Sequence, residues 1–319
     1  MKILITGGSG FIGSHLCHNF IKQGHKVICL DNFASGDISN IRSLVANNNF
    51  KFFQANICDS EIKHFFTNVD VVIHLAAQIH VDKSEIEPDT TYQTNVMGTL
   101  NILKLCRQYD VKKMIYASTS EVYGTAQKNP MDESHPLDAP HPYGASKIGA
   151  DRMCYSYAKT FGMDIVIVRS FNLYGPKQKA SGYGGVISLF TNKCLKGLPP
   201  LIYGSGEQRR DYLYVNDIVT AYDILANSKK KFCGDCFNFG TGKSISINEL
   251  ANKIIGLFGV NLKPKHIEAR PGEVNELICD YSKAREVLGW EPEYSFDRGL
   301  SEFVDWYKNY QHEQWSKGG

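Results

Sequence analysis

The stretch Ile3 to His15, ILITGGSGFIGSH, decides the reading of this chain. Four apolar or β-branched residues run into a glycine-rich turn, and apolar residues then resume at helical spacing. Gly7, Gly10 and Gly13 punctuate the turn, and Gly8, Gly10 and Gly13 satisfy the G-x-G-x-x-G spacing as well. Missing side chains let such a turn approach a pyrophosphate, whose charge the first amides of the following helix stabilise. The backbone around Gly7, Gly10, Phe11, Ile12 and Gly13 is therefore the expected cradle of a dinucleotide.

Working outward, the next strand, KVICLD, ends in Asp31, 18 residues beyond Gly13 and near the offset of a ribose-binding acid. Asp31 would repel a 2′-phosphate, and Asn32 to Gly36 bring no Arg or Lys to neutralise one, so NAD is expected over NADP. Four further runs, FKFFQA, VDVVIHLA, KKMIYAS and DIVIVRS, read as strands. Helical patterns lie between them at Phe11 to Gln23, Thr90 to Tyr109 and Tyr143 to Phe161. The expected class is α/β, a doubly wound parallel sheet of Rossmann type, followed by a smaller substrate-binding lobe.

After DIVIVRS the texture turns to Gly and Pro punctuation, which places a Rossmann domain over 1–175 and a mainly substrate-binding lobe over 176–319. CFNFGTG and the apolar stretch around VNDIVTAYDILA are candidates to return to the first domain.

The bulk composition excludes several classes. With 43% hydrophobic and 21% charged residues the chain suits a folded globular protein, and its net charge of +2 gives no field for nucleic acid or an anionic membrane. The start MKILITGG runs straight into a strand with no leader, and no apolar run is long enough to span a bilayer, so a cytoplasmic protein is expected. Nine scattered cysteines suit reduced thiols, and Cys233 and Cys236 lack the second ligand pair that zinc needs; no metal is expected.

Tyr143 and Lys147, four apart in PYGASK, would project from one face of a helix. A phenol with a pKa of about 10 becomes a usable base only near a cation such as a lysine or an oxidised nicotinamide ring. His74 at a strand end and His80 in the loop after it are read as structural or solvent-facing.

These residues sit in a longer series: TGGSGFIGSH, HLAAQ, TNVMGTLN, STSEVYG, YGASK, SFNLYGP, GEQRRDYLYVND and RPGE. The series resembles the extended short-chain dehydrogenase/reductase family, specifically its NAD-dependent nucleotide-sugar epimerases and dehydratases. The resemblance implies cofactor contacts from Asn56, Ile57, Leu75, Ala76, Ala77, Gln78 and Asn95, with Tyr143 and Lys147 at the nicotinamide end. Asn56 departs from the usual Asp. It also implies that Thr119 stands between Tyr143 and the 4-hydroxyl of the sugar, and that Asn172, Arg210 and Arg270 hold the sugar diphosphate.

Tyr143 would take the 4-hydroxyl proton as hydride passes to NAD, leaving a 4-keto sugar. Glu121, two residues past Thr119 and on the same face if the segment is extended, matches the base with which dehydratases remove the carbon 5 hydrogen. Ser120 departs from the Asp acid that deoxythymidine-diphosphate glucose dehydratases carry there, whereas those acting on guanosine-diphosphate sugars can have Ser; Thr119, Ser120 and Glu121 are the expected contacts at the sugar. The favoured expectation is an NDP-hexose 4,6-dehydratase, a lyase. The alternative is a UDP-hexose 4-epimerase, an isomerase, which needs no Glu121 and which HLAAQ, GYGGVISLF and RPGEVNELICDYSKAREVLGWEP resemble more closely. UDP-glucuronate decarboxylation and a non-catalytic NAD-binding scaffold rank below both. Relatives pair through helices, which points to a homodimer formed by Thr90 to Tyr109 and Tyr143 to Phe161.

Overall fold

The computed structural model describes residues 1–179, 185–269 and 275–317. Six parallel strands, β1 (Lys2–Thr6), β2 (Lys26–Asp31), β3 (Phe50–Gln54), β4 (Val71–His74), β5 (Lys113–Ala117) and β6 (Ile165–Ser170), follow the six apolar runs of the sequence. Their order from one edge is β3-β2-β1-β4-β5-β6, so the chain reverses direction across the sheet between β1 and β4. In such sheets that switch point leaves a crevice beyond the strand ends, where ligands bind.

Alternation within the strands explains why both faces are covered. Ile3, Ile5, Val27, Cys29, Ile73 and Val168 point to one face, where Leu16 and Phe20 of α1 (Phe11–Lys22) pack. Leu4, Ile28, Val72, Met114 and Ile167 point to the other. There they meet Ile102 and Cys106 of α4 (Thr99–Gln108) and Ala150, Cys154 and Ala158 of α5 (Pro142–Phe161). Removing both faces from water is what a run without polar alternation requires.

The helix expected over Thr90 to Tyr109 is present and helical throughout from Pro88 to Gln108, but it is not α-helical along its whole length. Short helices α2 (Val81–Ile86) and α3 (Pro88–Tyr92) lead into one wide π-turn over Gln93–Gly98 before α4 begins. The wide turn carries Asn95, whose amide nitrogen donates to the Gln78 carbonyl at 2.9 Å while its oxygen accepts from the Gln78 N–H at 2.8 Å. This side chain stitches the helix to the loop after β4, and π-turns recur where a helix meets such a demand.

Past β6 come β7 (Asn172–Tyr174), α6 (Val186–Leu195), β8 (Leu201–Tyr203), β9 (Arg209–Arg210) and β10 (Tyr212–Tyr214). The chain then re-enters the first layer system. Helix α7 (Val215–Asn227) packs on α1 and β5, and β11 (Cys236–Phe239) adds a seventh parallel strand beside β6. The rest of the lobe comprises β12 (Ile245–Ser246), α8 (Ile247–Phe258), β13 (Lys265–Ile267), β14 (Glu276–Leu277), α9 (Ser282–Leu288) and α10 (Phe296–Lys317). Its small sheets pair β7 with β10, β8 with β13, and β9 with both β12 and β14. Among the described residues no helix is long and apolar enough to cross a membrane.

Candidate active site

The glycine-rich turn closes tightly on the loop after β4. Gly7 adopts φ +71°, and a Cβ there would stand 2.8 Å from the Ala76 amide nitrogen. A Cβ on Gly13 would meet the Gly7 carbonyl oxygen at 2.1 Å, so only glycine lets α1 start this close to the turn. Gly10 caps α1 with no side chain over its first amides, and no acidic residue lies in the first turn. Phe11, Ile12 and Gly13 thus present a helix start suited to a pyrophosphate.

Asp31 is buried, with one carboxylate oxygen accepting from the Ser9 N–H at 3.0 Å and the other from Phe33 N–H at 2.8 Å. These two bonds tie the glycine turn to the end of β2. Each oxygen keeps a lone pair for a ribose hydroxyl. Asn32 accepts from the Ala34 amide at 3.0 Å, shaping the same turn. Asn56 is exposed, and its side-chain oxygen accepts from Cys58 N–H at 3.0 Å, while Ile57 beside it is buried against Gly98. Leu75, Ala76, Ala77 and Gln78 run past Gly7, their path set by Leu75 N–H donating to the Thr6 carbonyl at 3.1 Å and by the Asn95 clamp. These residues follow the C-terminal ends of β1, β2, β3 and β4, the side on which such sheets bind ligands, and the clear glycine turn and the Asp31 acceptors fit a dinucleotide.

His74 belongs to the scaffold, as expected. It is fully buried between the Thr6 hydroxyl at 2.7 Å and the Thr99 hydroxyl at 3.1 Å, and desolvation depresses its pKa to about 3. It stays neutral at physiological pH.

At the far end of the crevice, α5 delivers Tyr143 and Lys147 one turn apart. Lys147 Nζ donates to the Ala117 carbonyl at 2.5 Å and stands 4.6 Å above the Tyr116 ring. Burial lowers its pKa to about 8, opposed by the negative charge of Asp151. The Tyr143 phenol is pushed above its ordinary range by burial first and by the Glu121 carboxylate second, and the hydrogen bond with Thr119 pulls it back. Without a further cation nearby it holds its proton at neutral pH. A bound oxidised nicotinamide would supply that cation.

Thr119 and Glu121 do not share an extended segment. Thr119 alone is extended, at φ −161° and ψ 158°, and its hydroxyl accepts from the Glu121 N–H at 3.2 Å to cap a 3-10 turn over Ser120–Tyr123. A Thr hydroxyl competes well for such an amide, which is why the strand pattern fails here. The turn still sets both side chains at Tyr143, one through a hydrogen bond and the other through its charge. Ser120 is buried within the turn.

Glu121, Tyr143, Asn172 and Arg210 line one cavity of about 660 Å³. Asn172 on β7 donates to the Asp211 carbonyl at 3.4 Å, and Arg210 on β9 donates to the Arg209 carbonyl at 2.9 Å. The two adjacent arginines divide: Arg209 is tied to Ser244 at 3.1 Å and lies 3.4 Å from Glu249, whereas Arg210 faces the cavity. Arg270 lies outside the described residues.

Several neighbours escaped the sequence reading. Lys193 of α6 and Gln178 also line the cavity, and nothing in their local sequence marks them. Ser84 is fully buried beneath the Tyr143 amide, which donates to its hydroxyl at 3.0 Å. Ser146 accepts from Asn95 at 2.9 Å, and His141 caps α5 through its ring. The His-Pro pair before Tyr143, with Pro at the first helical position, was a legible start signal.

Residues 4–303 match the family model described as GDP-mannose 4,6 dehydratase. The chain is 40% identical to a putative UDP-glucose 4-epimerase of Methanocaldococcus jannaschii, over 96% of this chain and 98% of that one. It superposes on a UDP-glucose 4-epimerase of Thermotoga maritima, solved with UDP-glucose, at a TM-score of 0.92 and 36% identity, covering 98% of this chain and all of the other. It also superposes on a dTDP-glucose 4,6-dehydratase of Streptomyces venezuelae with NAD bound, at a TM-score of 0.91 and 29% identity over 98% of each chain.

Proposed function

Since the chain belongs to the GDP-mannose 4,6-dehydratase family, the NAD-dependent nucleotide-sugar epimerases and dehydratases of the extended short-chain dehydrogenase/reductases, we propose that it is an NDP-hexose 4,6-dehydratase. NAD, held by the Gly7–Gly13 turn, Asp31 and the Leu75–Gln78 loop, supplies the hydride acceptor for carbon 4 of the sugar. Tyr143 takes the 4-hydroxyl proton, directly or through Thr119, and the Lys147 cation favours the phenolate that does so. Arg210 and Asn172 hold the diphosphate, for which a guanidinium fork is well shaped.

The observation that carries the choice of reaction is the place of Glu121, a carboxylate in the cavity wall whose charge reaches the Tyr143 phenol. A 4-keto group acidifies the hydrogen on carbon 5; the Glu121 carboxylate would take that proton and pass it to the 6-hydroxyl, which leaves as water, with hydride then returning to carbon 6 and a proton to carbon 5 to give a 4-keto-6-deoxy sugar. Epimerisation at carbon 4 alone gives such a base nothing to do.

A second reading, the UDP-hexose 4-epimerase, is favoured by the identity to the Methanocaldococcus protein across nearly the whole of both chains. The test is to incubate the purified protein with UDP-, GDP-, CDP- and dTDP-hexoses and follow products by mass and NMR. Loss of one water supports dehydration, and an isomer of unchanged mass replaces it with epimerisation. Glu121→Gln should abolish water loss while leaving NAD affinity intact; full activity in that variant removes Glu121 from the mechanism.

Pairing of two copies through α4, α5 and the segment leading into α4 is part of the same proposal. Tyr92 on α3, Met97 in the π-turn, and Tyr155 and Phe161 on α5 are 40% to 48% exposed. Sedimentation at micromolar protein tests it.

A further inference from the structure

We propose that His141 is a positioning residue that aims the Glu121 carboxylate at the sugar, while the same imidazole caps the helix carrying Tyr143. The inference rests on the dehydratase reading.

The two ring nitrogens do different work. His141 has extended backbone at φ −128° and ψ 156°, and its Nδ1 accepts from the Gly144 N–H at 3.0 Å, in the manner of a helix-capping side chain. An amide can only donate, so Nδ1 carries no proton and the neutral ring holds its hydrogen on Nε2. Nε2 stands 3.4 Å from Glu121 Oε2, across 20 residues of sequence. The cap thereby selects the tautomer that can donate to the carboxylate.

Packing fixes the ring in that role. Its plane lies within 8° of the Tyr143 ring, with centroids 6.1 Å apart. A Cβ on Gly144 would stand 3.0 Å from the Glu121 carbonyl and 3.1 Å from His141 Cε1, so the turn and the ring meet at a point with no spare volume. The His141 side chain is 16% exposed and that of Glu121 37%. The carboxylate therefore has solvent-facing rotamers open to it, and a donor on one oxygen holds the other free for the proton on carbon 5. A base misplaced by about 1 Å loses on the order of 100-fold in rate, which is the scale of what such a contact can supply.

Two substitutions separate the two roles. His141→Asn retains a short acceptor for the Gly144 amide but has no donor at the Nε2 position. His141→Gln places an amide nitrogen near Nε2 but caps poorly. Water loss, the transient rise of reduced-nicotinamide absorbance and thermal unfolding are measured for wild type, Glu121→Gln and both His141 variants.

His141→Asn should keep the melting temperature and the KM of wild type, lose about 10- to 100-fold in kcat for water loss, and accumulate reduced nicotinamide because elimination has become slow. His141→Gln should melt lower yet eliminate faster than His141→Asn. The opposite order, with His141→Asn as active as wild type and His141→Gln impaired in proportion to its stability, reduces His141 to a helix cap and overturns the proposal. If wild type dehydrates and Glu121→Gln does not, that opposite order removes the role of His141 and leaves the dehydratase reading standing. If wild type turns over its substrate without losing water, the dehydratase reading and this inference fall together.

Discussion

Beneath the C-terminal end of β5 lies an ion pair whose disruption tests how the candidate site is held. Arg169 on β6 and Asp151 on α5 are 2% and 0% exposed. They meet through two bonds, Nε to Oδ2 at 2.9 Å and Nη2 to Oδ1 at 3.0 Å. Arg169 Nη1 also donates to the Tyr123 hydroxyl at 3.0 Å, which donates in turn to Asn238 on the returning strand β11 at 2.6 Å. Ser118 donates to the same Asp151 at 3.0 Å, and it lies between Ala117, which accepts from Lys147, and Thr119.

Arg169→Leu strips the carboxylate of its bidentate donor and leaves it buried with only the Ser118 hydroxyl and the half-exposed Arg152 Nε, 3.5 Å away, beside it. Breaking one side of a buried pair costs about 3 to 5 kcal/mol. With an unfolding entropy of roughly 2.1 cal/mol/K per residue, a chain of this length loses about 1.5 °C in Tm per kcal/mol, so the shift should be about 5 to 7 °C. The double variant Arg169→Leu with Asp151→Leu removes the stranded charge, and its loss should fall well short of the sum of the two single losses. Thermal unfolding by circular dichroism measures all three variants. A shift under about 2 °C for Arg169→Leu, or strict additivity in the double variant, refutes the claim that these two residues are a coupled, desolvated pair.

Three further outcomes follow from the geometry. Gly13→Ala drives a Cβ to 2.1 Å from the Gly7 carbonyl, so it should cost about 1 to 3 kcal/mol in stability and weaken NAD binding at least tenfold by calorimetric titration. With its pKa lowered by burial to about 8, Lys147 is cationic below that pH and neutral above it. NAD affinity of the ligand-free protein should therefore decline as pH rises through about 8, and a profile as flat as that of Lys147→Met would contradict this. Arg210→Ala should raise KM for the nucleotide sugar about 10- to 100-fold through a lost charge-assisted hydrogen bond, whereas Arg209→Ala, which unties β9 from Ser244, should lower Tm and leave KM near wild type.

Physical reasons separate what the sequence made legible from what it hid. Strands buried on both faces have no polar alternation to disguise them, so the five inner runs stood out, while FKFFQ at the sheet edge is only partly buried; Gly7 and Gly13 announced a close approach because no other residue fits there. The return of CFNF to the sheet edge was visible as an apolar run. VNDIVTAYDILA returned as a helix, with Val215, Ile218, Tyr222 and Leu225 on its buried side at helical spacing. The π-turn at Gln93–Gly98 was not legible, because its cause is the grip of Asn95 on Gln78, a contact between two segments rather than a property of either.

The same distinction governs the reaction. Tyr143 and Lys147 are legible as a pair because one helix turn joins them, and Thr119 and Glu121 because they stand two residues apart. Yet the logic expected of the second pair was wrong: a shared face on an extended strand is replaced by a capped 3-10 turn. What holds Glu121 in the cavity wall is a fold-level contact, the meeting of that turn with the start of α5, where His141 Nε2 approaches its carboxylate. Two chains with identical STSEVYG and YGASK motifs but different residues before the Pro-Tyr would hold the same carboxylate differently. Resemblance between motifs therefore reaches the Tyr143–Lys147 pair more securely than the placing of Glu121, because the first depends on residues within one helix turn and the second on how two loops pack.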